Sequence, residues 1–308
     1  MQQTTESRKR KPVLLNENNI TAFLDENDTL LCDCDGVIWT PSKIIPFAKE
    51  AVDCFKDAKK KVLFVTNNSL QSPLPRFEKL GYSVQEHDVA YPPLAVAQHL
   101  RSIGLTKKAF VVAHEHFKDR LRNQGITVVP AKKEEGARLV KEDILALLSG
   151  IQDDSDIGAV VIDVDFNLCY DDLVKAANHL RRPDCLFFVG ASDSKVCLES
   201  GKVLLGPGYF VSMLEDCTGR KAEVIGKPGR LMIDGYLKKF HAMDMKRTVF
   251  VGDTLVQDMG LAHACGMKKL LVLTGMAKLE DLDSCDSDLI PDYYINSFGD
   301  FYHLLNKK

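Results

Sequence analysis

No apolar run in the 308-residue chain approaches the roughly 18 residues that a membrane-spanning helix needs, so no membrane partner is expected. Neither sign of charge dominates. A net charge of −3 and a pI near 6.3 give no general pull toward nucleic acid, which is likewise not expected as a partner. No C-x-x-C pair occurs among the nine cysteines, which are scattered and odd in number. That pattern argues against a disulfide framework or a zinc site and for a reduced, cytoplasmic protein. The basic cluster at residues 7–11 has no amphipathic periodicity and follows Glu6, which argues against a mitochondrial presequence. A flexible tail over residues 1–16 is expected instead. At this length two domains, or one with a large insertion, are expected.

What the chain does contain is a series of short apolar runs, each ending in acidic or small polar residues. Leu30, Leu31 and Cys32 lead into Asp33, Cys34, Asp35 and Gly36, which places two carboxylates at the carboxyl end of a strand, where open α/β sheets keep their ligands. Two such carboxylates repel unless a cation lies between them, and acidic oxygens suit Mg²⁺ better than zinc. The backbone turns between the two positions, so only one carboxylate points straight at the cation and the other is left for proton transfer. A solvated turn uses the same residue types, and the apolar lead-in favours the functional reading. Cys32 and Cys34 alternate away from Asp33 and read as small core residues.

A helix is expected over 19–25, another over 48–58 on the spacing of Ala48, Ala51, Val52 and Phe55, and a second buried strand from Lys61 into Thr66, Asn67, Asn68 and Ser69. This is a βαβ unit, the seed of a parallel sheet. Thr66 and Asn67 suit both a helix N-cap and a cradle for a phosphoryl oxygen. Residues 77–99 suggest a further helix and turn, with Pro92 and Pro93 as a breaker. From about Lys108 a new βα series begins, with strands expected near 109–113, 125–129, 158–164 and 185–189 and a helix over 170–180. The strongly charged residues 132–156 read as an exposed helix and loop. Asp163 and Asp165 repeat a D-x-D pattern, but Phe166 rather than glycine follows, and a structural placement is expected. Residues 192–195 suit either a substrate contact or a plain turn.

Chemistry resumes at Gly226, Lys227 and Pro228, where a lysine held between glycine and proline can neutralise an aspartate and an incoming phosphate together. The next strand ends in Gly252 and Asp253, with Asp258 one turn further, completing an oxygen cage. Residues 269–275 are expected to close the sheet.

The order D-x-D-G, T-N-N-S, G-K-P and G-D-x-x-x-x-D, each after an apolar strand, resembles the haloacid dehalogenase (HAD) superfamily. Within it the chain is similar to the group of 4-nitrophenylphosphatases, phosphoglycolate phosphatases and pyridoxal phosphatases, over about residues 30–273. The resemblance implies a Rossmann-like α/β core with a parallel sheet, formed by residues 1–107 and 221–308, and an inserted α/β cap domain at 108–220. It implies a phosphatase acting on a small phosphorylated metabolite, with Asp33 as nucleophile, Asp35 as general acid/base and Lys227 as the neutralising cation. Thr66, Asn67, Asn68 and Lys227 would bind the phosphoryl group. Mg²⁺ would be held by the Asp33 carboxylate, the Asp35 carbonyl and Asp253, with Asp258 orienting that shell from behind. A homodimer through the cap is a further expectation. The chain departs from the family at Leu70 to Pro73, Tyr91 to Pro93 and Thr254 to Gln257, so a weakly catalytic protein that binds a phosphorylated ligand or partner is the alternative.

Overall fold

The structure, a computed structural model, describes residues 11–130, 154–197, 201–241 and 243–306. Most of the expected tail, residues 1–10, and residues 132–153 of the charged segment lie outside the described residues. The chain folds into two compact units, the first made of Met1–Thr66, Leu80–Val89 and Leu237–Lys308, the second of Asn67–Lys79 and Ala90–Tyr236. The insert expected at 108–220 falls inside the second unit, which reaches beyond it on both sides.

In chain order the strands are β1 (Val13–Leu14), β2 (Thr29–Cys32), β3 (Lys61–Val65), β4 (Val89–Ala90), β5 (Lys108–Val112), β6 (Val128–Pro130) and β7 (Ile157–Ile162). There follow β8 (Leu186–Val189), β9 (Lys195–Cys197), β10 (Val203–Leu205), β11 (Glu223–Val224), β12 (Thr248–Gly252), β13 (Lys268–Val272) and β14 (Tyr293–Ile295). One sheet runs β1-β14-β13-β12-β2-β3-β4, with parallel pairing from β1 through to β3. β2 lies at its middle, between β3 and β12, and every residue of β2 is buried. A parallel strand covered on both faces cannot alternate polar and apolar positions, which is why 30–32 reads as an unbroken apolar run. On one flank Phe55, from the helix Ala48–Asp57, meets Phe301, from the helix Asp300–Asn306, with ring centroids 4.9 Å apart. Phe23, from the helix Ile20–Glu26, stacks on the same Phe301 at 5.8 Å. Three helices from distant parts of the sequence are thus held by one aromatic cluster.

The second unit has its own parallel sheet, β11-β8-β7-β5-β6, and an antiparallel hairpin of β9 and β10. Phe110, Val160, Ile162 and Phe187 from that sheet pack with Ala176 and Leu180 of the helix Tyr170–Leu180 and Val211 and Leu214 of the helix Gly208–Thr218.

Three expectations are corrected. Residues 11–16 are not all tail, because Val13 and Leu14 pair with Tyr293 and Tyr294 and Leu15 is buried. Pro92 and Pro93 do not break a helix but open one, Pro92–Ser102, since a proline in a first turn forfeits no intrahelical hydrogen bond. Residues 269–275 do not close the sheet either: β13 is interior, and β14 and β1 continue past it.

Candidate active site

Each sheet reverses the direction in which successive strands are added. In the first, β2, β3 and β4 run one way while β12, β13 and β14 run the other, so the switch lies between β2 and β12. Loops leaving the carboxyl ends of those two strands must part, and the crevice they leave is where such folds bind ligands. Asp33 follows β2 and Asp253 follows β12, and the Asp33 N–H donates to the Val251 carbonyl at 2.8 Å, which ties the two ends together.

Asp33, Asp253 and Asp258 converge, each offering an oxygen within 4.8 Å of the others. They are 5%, 4% and 0% exposed. The surrounding glycines make room for them. A Cβ on Gly36 would lie 2.5 Å from the Asp253 carboxyl carbon, and one on Gly275 would lie 1.8 Å from Asp253 Oδ2. Gly36 also has φ +84°, a left-handed conformation that a larger residue rarely adopts. Its carbonyl accepts a hydrogen bond from the Thr274 hydroxyl, which clamps the D-x-D-G turn to the loop after β13.

Backbone donors fix the orientation of each carboxylate. Asp33 Oδ1 accepts from Cys34 N–H at 2.7 Å, and Asp253 Oδ2 accepts from Met276 N–H at 2.8 Å. Asp258 Oδ2 takes three bonds, from Asp253 N–H at 3.0 Å, Thr254 N–H at 2.9 Å and the Thr254 hydroxyl at 2.7 Å. Asp258 thereby shapes the loop that carries Asp253. Three carboxylates this close and this buried need positive charge between them, and an all-oxygen donor set fits a hard divalent cation. Among the described residues this is the one such cluster of metal-ligating side chains.

Asp35 is half-buried beside this cluster in sequence, and its Oδ2 accepts from the Thr66 hydroxyl at 3.5 Å. Cys32 and Cys34 are fully buried, and burial, with Asp33 adjacent, pushes the Cys32 thiol up, so it stays neutral. In the second unit Asn67 Oδ1 accepts from Lys227 N–H at 2.8 Å, while Asn67 Nδ2 donates to the Lys227 carbonyl at 3.1 Å and to Asp193 Oδ2 at 2.9 Å. The T-N-N-S and G-K-P loops are therefore directly bonded. Asn68 is placed differently: its Oδ1 accepts from Leu70 N–H at 3.2 Å and organises the loop itself.

The second D-x-D pair separates. Asp163 is tied to Ser69, whereas Asp165 faces Lys118 at 3.9 Å with both side chains buried. Sequence reasoning did not single out Thr274, Gly275 or Met276 as site residues, and it left Asp193 undecided. A glycine directly after an apolar strand, as at Gly275, was the available signal.

A haloacid dehalogenase-like hydrolase model matches residues 30–127 and a HAD-hydrolase-like model matches 224–301, leaving the middle of the chain between them. The glycerol-3-phosphate phosphatase of Rattus norvegicus is 32% identical over 94% of this chain and 94% of its own. The chain belongs to the haloacid dehalogenase-like hydrolases. The chloroplastic phosphoglycolate phosphatase 1A of Arabidopsis thaliana is 30% identical over 94% of this chain and 84% of its own. Among solved structures the p-nitrophenyl phosphatase from Archaeoglobus fulgidus superposes with a TM-score of 0.73 at 25% identity, covering 90% of this chain and 98% of the other. These matches place the chain among the phosphatases of the family, as a phosphoric monoester hydrolase with the α/β fold that its motifs suggested. No helix among the described residues is long and apolar enough to cross a membrane.

Proposed function

We propose that this enzyme is a Mg²⁺-dependent phosphatase for a small phosphate monoester of the phosphoglycolate or 4-nitrophenyl phosphate type. The convergence of Asp33, Asp253 and Asp258 in a buried crevice at the switch point carries the proposal. Asp33 would attack phosphorus with one carboxylate oxygen as the ester P–O bond breaks, forming an aspartyl-phosphate, while Asp35 gives its proton to the leaving oxygen. Asp35 would then take a proton from water as that water attacks phosphorus, releasing phosphate and restoring Asp33. The Thr66 hydroxyl, bonded to Asp35 Oδ2, supports an orientation suited to both transfers.

Asp33, Asp253 and the Asp35 carbonyl are the proposed Mg²⁺ ligands, with Asp258 holding the Asp253 loop. Bound there, the cation would neutralise the carboxylates and polarise the phosphoryl oxygens. Lys227, by its motif, is assigned the remaining neutralisation, and Thr66, Asn67 and Asn68 the phosphoryl cradle. A core of 1–107 and 221–308 around a cap at 108–220, dimerisation through that cap and a cytoplasmic setting complete the proposal.

The test is phosphate release from 4-nitrophenyl phosphate, 2-phosphoglycolate, glycerol 3-phosphate and pyridoxal 5′-phosphate, with Mg²⁺ or with EDTA, for wild type and Asp33→Asn. Metal-dependent release that falls by at least about 10³-fold in the variant is expected. Saturable binding of these esters without hydrolysis by the wild type would instead establish the weakly catalytic alternative.

A further inference from the structure

The second unit buries a carboxylate for which the proposed mechanism has no use. Asp163 stands just past the carboxyl end of β7 and is 3% exposed. Its Oδ1 accepts from the Ser69 hydroxyl and from Val164 N–H at 2.7 Å, and its Oδ2 accepts from Ala191 N–H at 2.7 Å. The neighbouring backbone is fitted around it, since a Cβ on Gly190 would lie 2.0 Å from Asp163 Oδ2.

Gly190 passes the connection on. Its carbonyl accepts from Gly226 N–H at 2.7 Å, and a Cβ on Gly226 would lie 2.2 Å from that oxygen. Lys227 comes next in the chain, and its N–H and carbonyl both bond to the Asn67 side chain. Ser192 Oγ adds a bond to the same Lys227 carbonyl at 3.4 Å. Asn67 is two residues from Ser69, so the bonds form a closed ring: Ser69, Asp163, the Gly190–Ala191 turn, Gly226–Lys227, Asn67 and back along the chain to Ser69. The Ser69–Asp163, Asp163–Ala191 and Gly190–Gly226 links each rest on one bond, so removing any of those three opens it, whereas two bonds join Lys227 to Asn67.

The ring also accounts for the residue type. A neutral amide in place of the carboxylate accepts at one end only and presents N–H donors at the other. Here backbone N–H donors approach both ends, Ala191 on one side and Val164 on the other, so an amide would turn its own N–H groups against one of them, which a carboxyl group does not do. Burial pushes the Asp163 carboxyl up to about 7, the cost of placing the group there. A carboxylate held at that cost, where it joins three chain segments, serves their relative placement.

We propose that Asp163 is a positioning residue, which through Ser69 and the Gly190–Ala191 turn sets the T-N-N-S loop against the G-K-P loop and so fixes Asn67 and Lys227. Its effect on turnover rests on the phosphatase reading of those two loops, whereas its effect on loop order does not. Misplacement of a positioned group by about 1 Å can cost on the order of 100-fold in rate. Asp163→Asn is therefore expected to lower kcat by about 10- to 100-fold.

The experiment measures kcat and KM for 4-nitrophenyl phosphate, together with amide hydrogen exchange, in wild type, Asp163→Asn, Ser69→Ala and the double variant. The expected result is a kcat loss in both single variants, larger for Asp163→Asn, and a double variant no worse than Asp163→Asn alone. Faster exchange should be confined to the Asn67–Leu70 stretch and to the Gly226 and Lys227 amides. Exchange unchanged at those amides, or raised equally over the whole second unit, would overturn the proposal. So would additive kcat losses in the double variant. Should Asp163→Asn not fold, Ser69→Ala decides alone, because it leaves both backbone bonds to Asp163 in place. A wild type without turnover would remove the phosphatase reading, and exchange would still test the ring.

Discussion

The same Asp163 gives a stability prediction whose size and sign follow from its surroundings. Burial is the largest influence on this carboxyl and raises it from 3.8 to about 7, while the bonds from Ser69, Ala191 and Val164 oppose that rise. The folded-state value lies above the unfolded one, so the fold favours the protonated form. The associated stability is fully present below pH 4 and is lost as pH rises through about 7. A difference of roughly 3 units corresponds to about 4 kcal/mol over the whole window, of which roughly 2–3 kcal/mol falls between pH 5 and pH 8. Asp163→Asn removes this titration. It also disturbs the bonds to Val164, Ser69 and Ala191, at a cost that does not vary with pH. The stability gap between wild type and Asp163→Asn is therefore expected to shift by about 2–3 kcal/mol in favour of the variant from pH 5 to pH 8. Other titrating groups are common to both proteins and cancel in the gap. Trp39, the single tryptophan, lies in the first unit, so urea unfolding should be followed by far-ultraviolet circular dichroism. A gap constant to within about 0.5 kcal/mol across that range would show that burial does not penalise the charged form as argued.

Two further substitutions probe the carboxylate crevice. Gly275→Ala puts a methyl group where Asp253 Oδ2 now sits, so the enzyme should lose about 1–3 kcal/mol of stability and bind Mg²⁺ more weakly, checked by thermal melts with and without the metal. Unchanged melts in both conditions would show that the loop after β13 yields freely. Asp258→Ala strands the Asp253 and Thr254 N–H groups and the Thr254 hydroxyl, at roughly 1–3 kcal/mol for each donor left unsatisfied. Relief of repulsion among the three carboxylates offsets part of that loss, and added Mg²⁺ should therefore stabilise the variant less than it stabilises the wild type, as read by titration calorimetry and Tm. Equal Mg²⁺ affinity in the two proteins would mean that Asp258 has no part in presenting Asp253.

The βα alternation and the apolar runs ending in Asp33, Thr66, Lys227 and Asp253 were legible in the sequence, whereas the short strands β1, β4, β9, β10 and β14 were not. A strand buried in a parallel sheet must be apolar along its length, and a polar residue at its end is conspicuous against that background. The motif spacing likewise carried the family. Other features depend on backbone meeting backbone across long stretches of chain, where no local pattern records them. The pairing of Val13 and Leu14 with β14 is one, and it turned part of an expected tail into sheet. The prolines at 92 and 93 are another, because a proline ends one helix and opens the next with equal ease, and only the course of the chain decides between them. The sequence by itself determined which residue types stood ready for phosphoryl chemistry. Tertiary structure alone decided that the Asn67 side chain bonds the Lys227 backbone and that Asp163 joins three chain segments. Such roles come from hydrogen-bond geometry between segments up to 160 residues apart. No spacing within the chain encodes that geometry before the sheets bring those segments together.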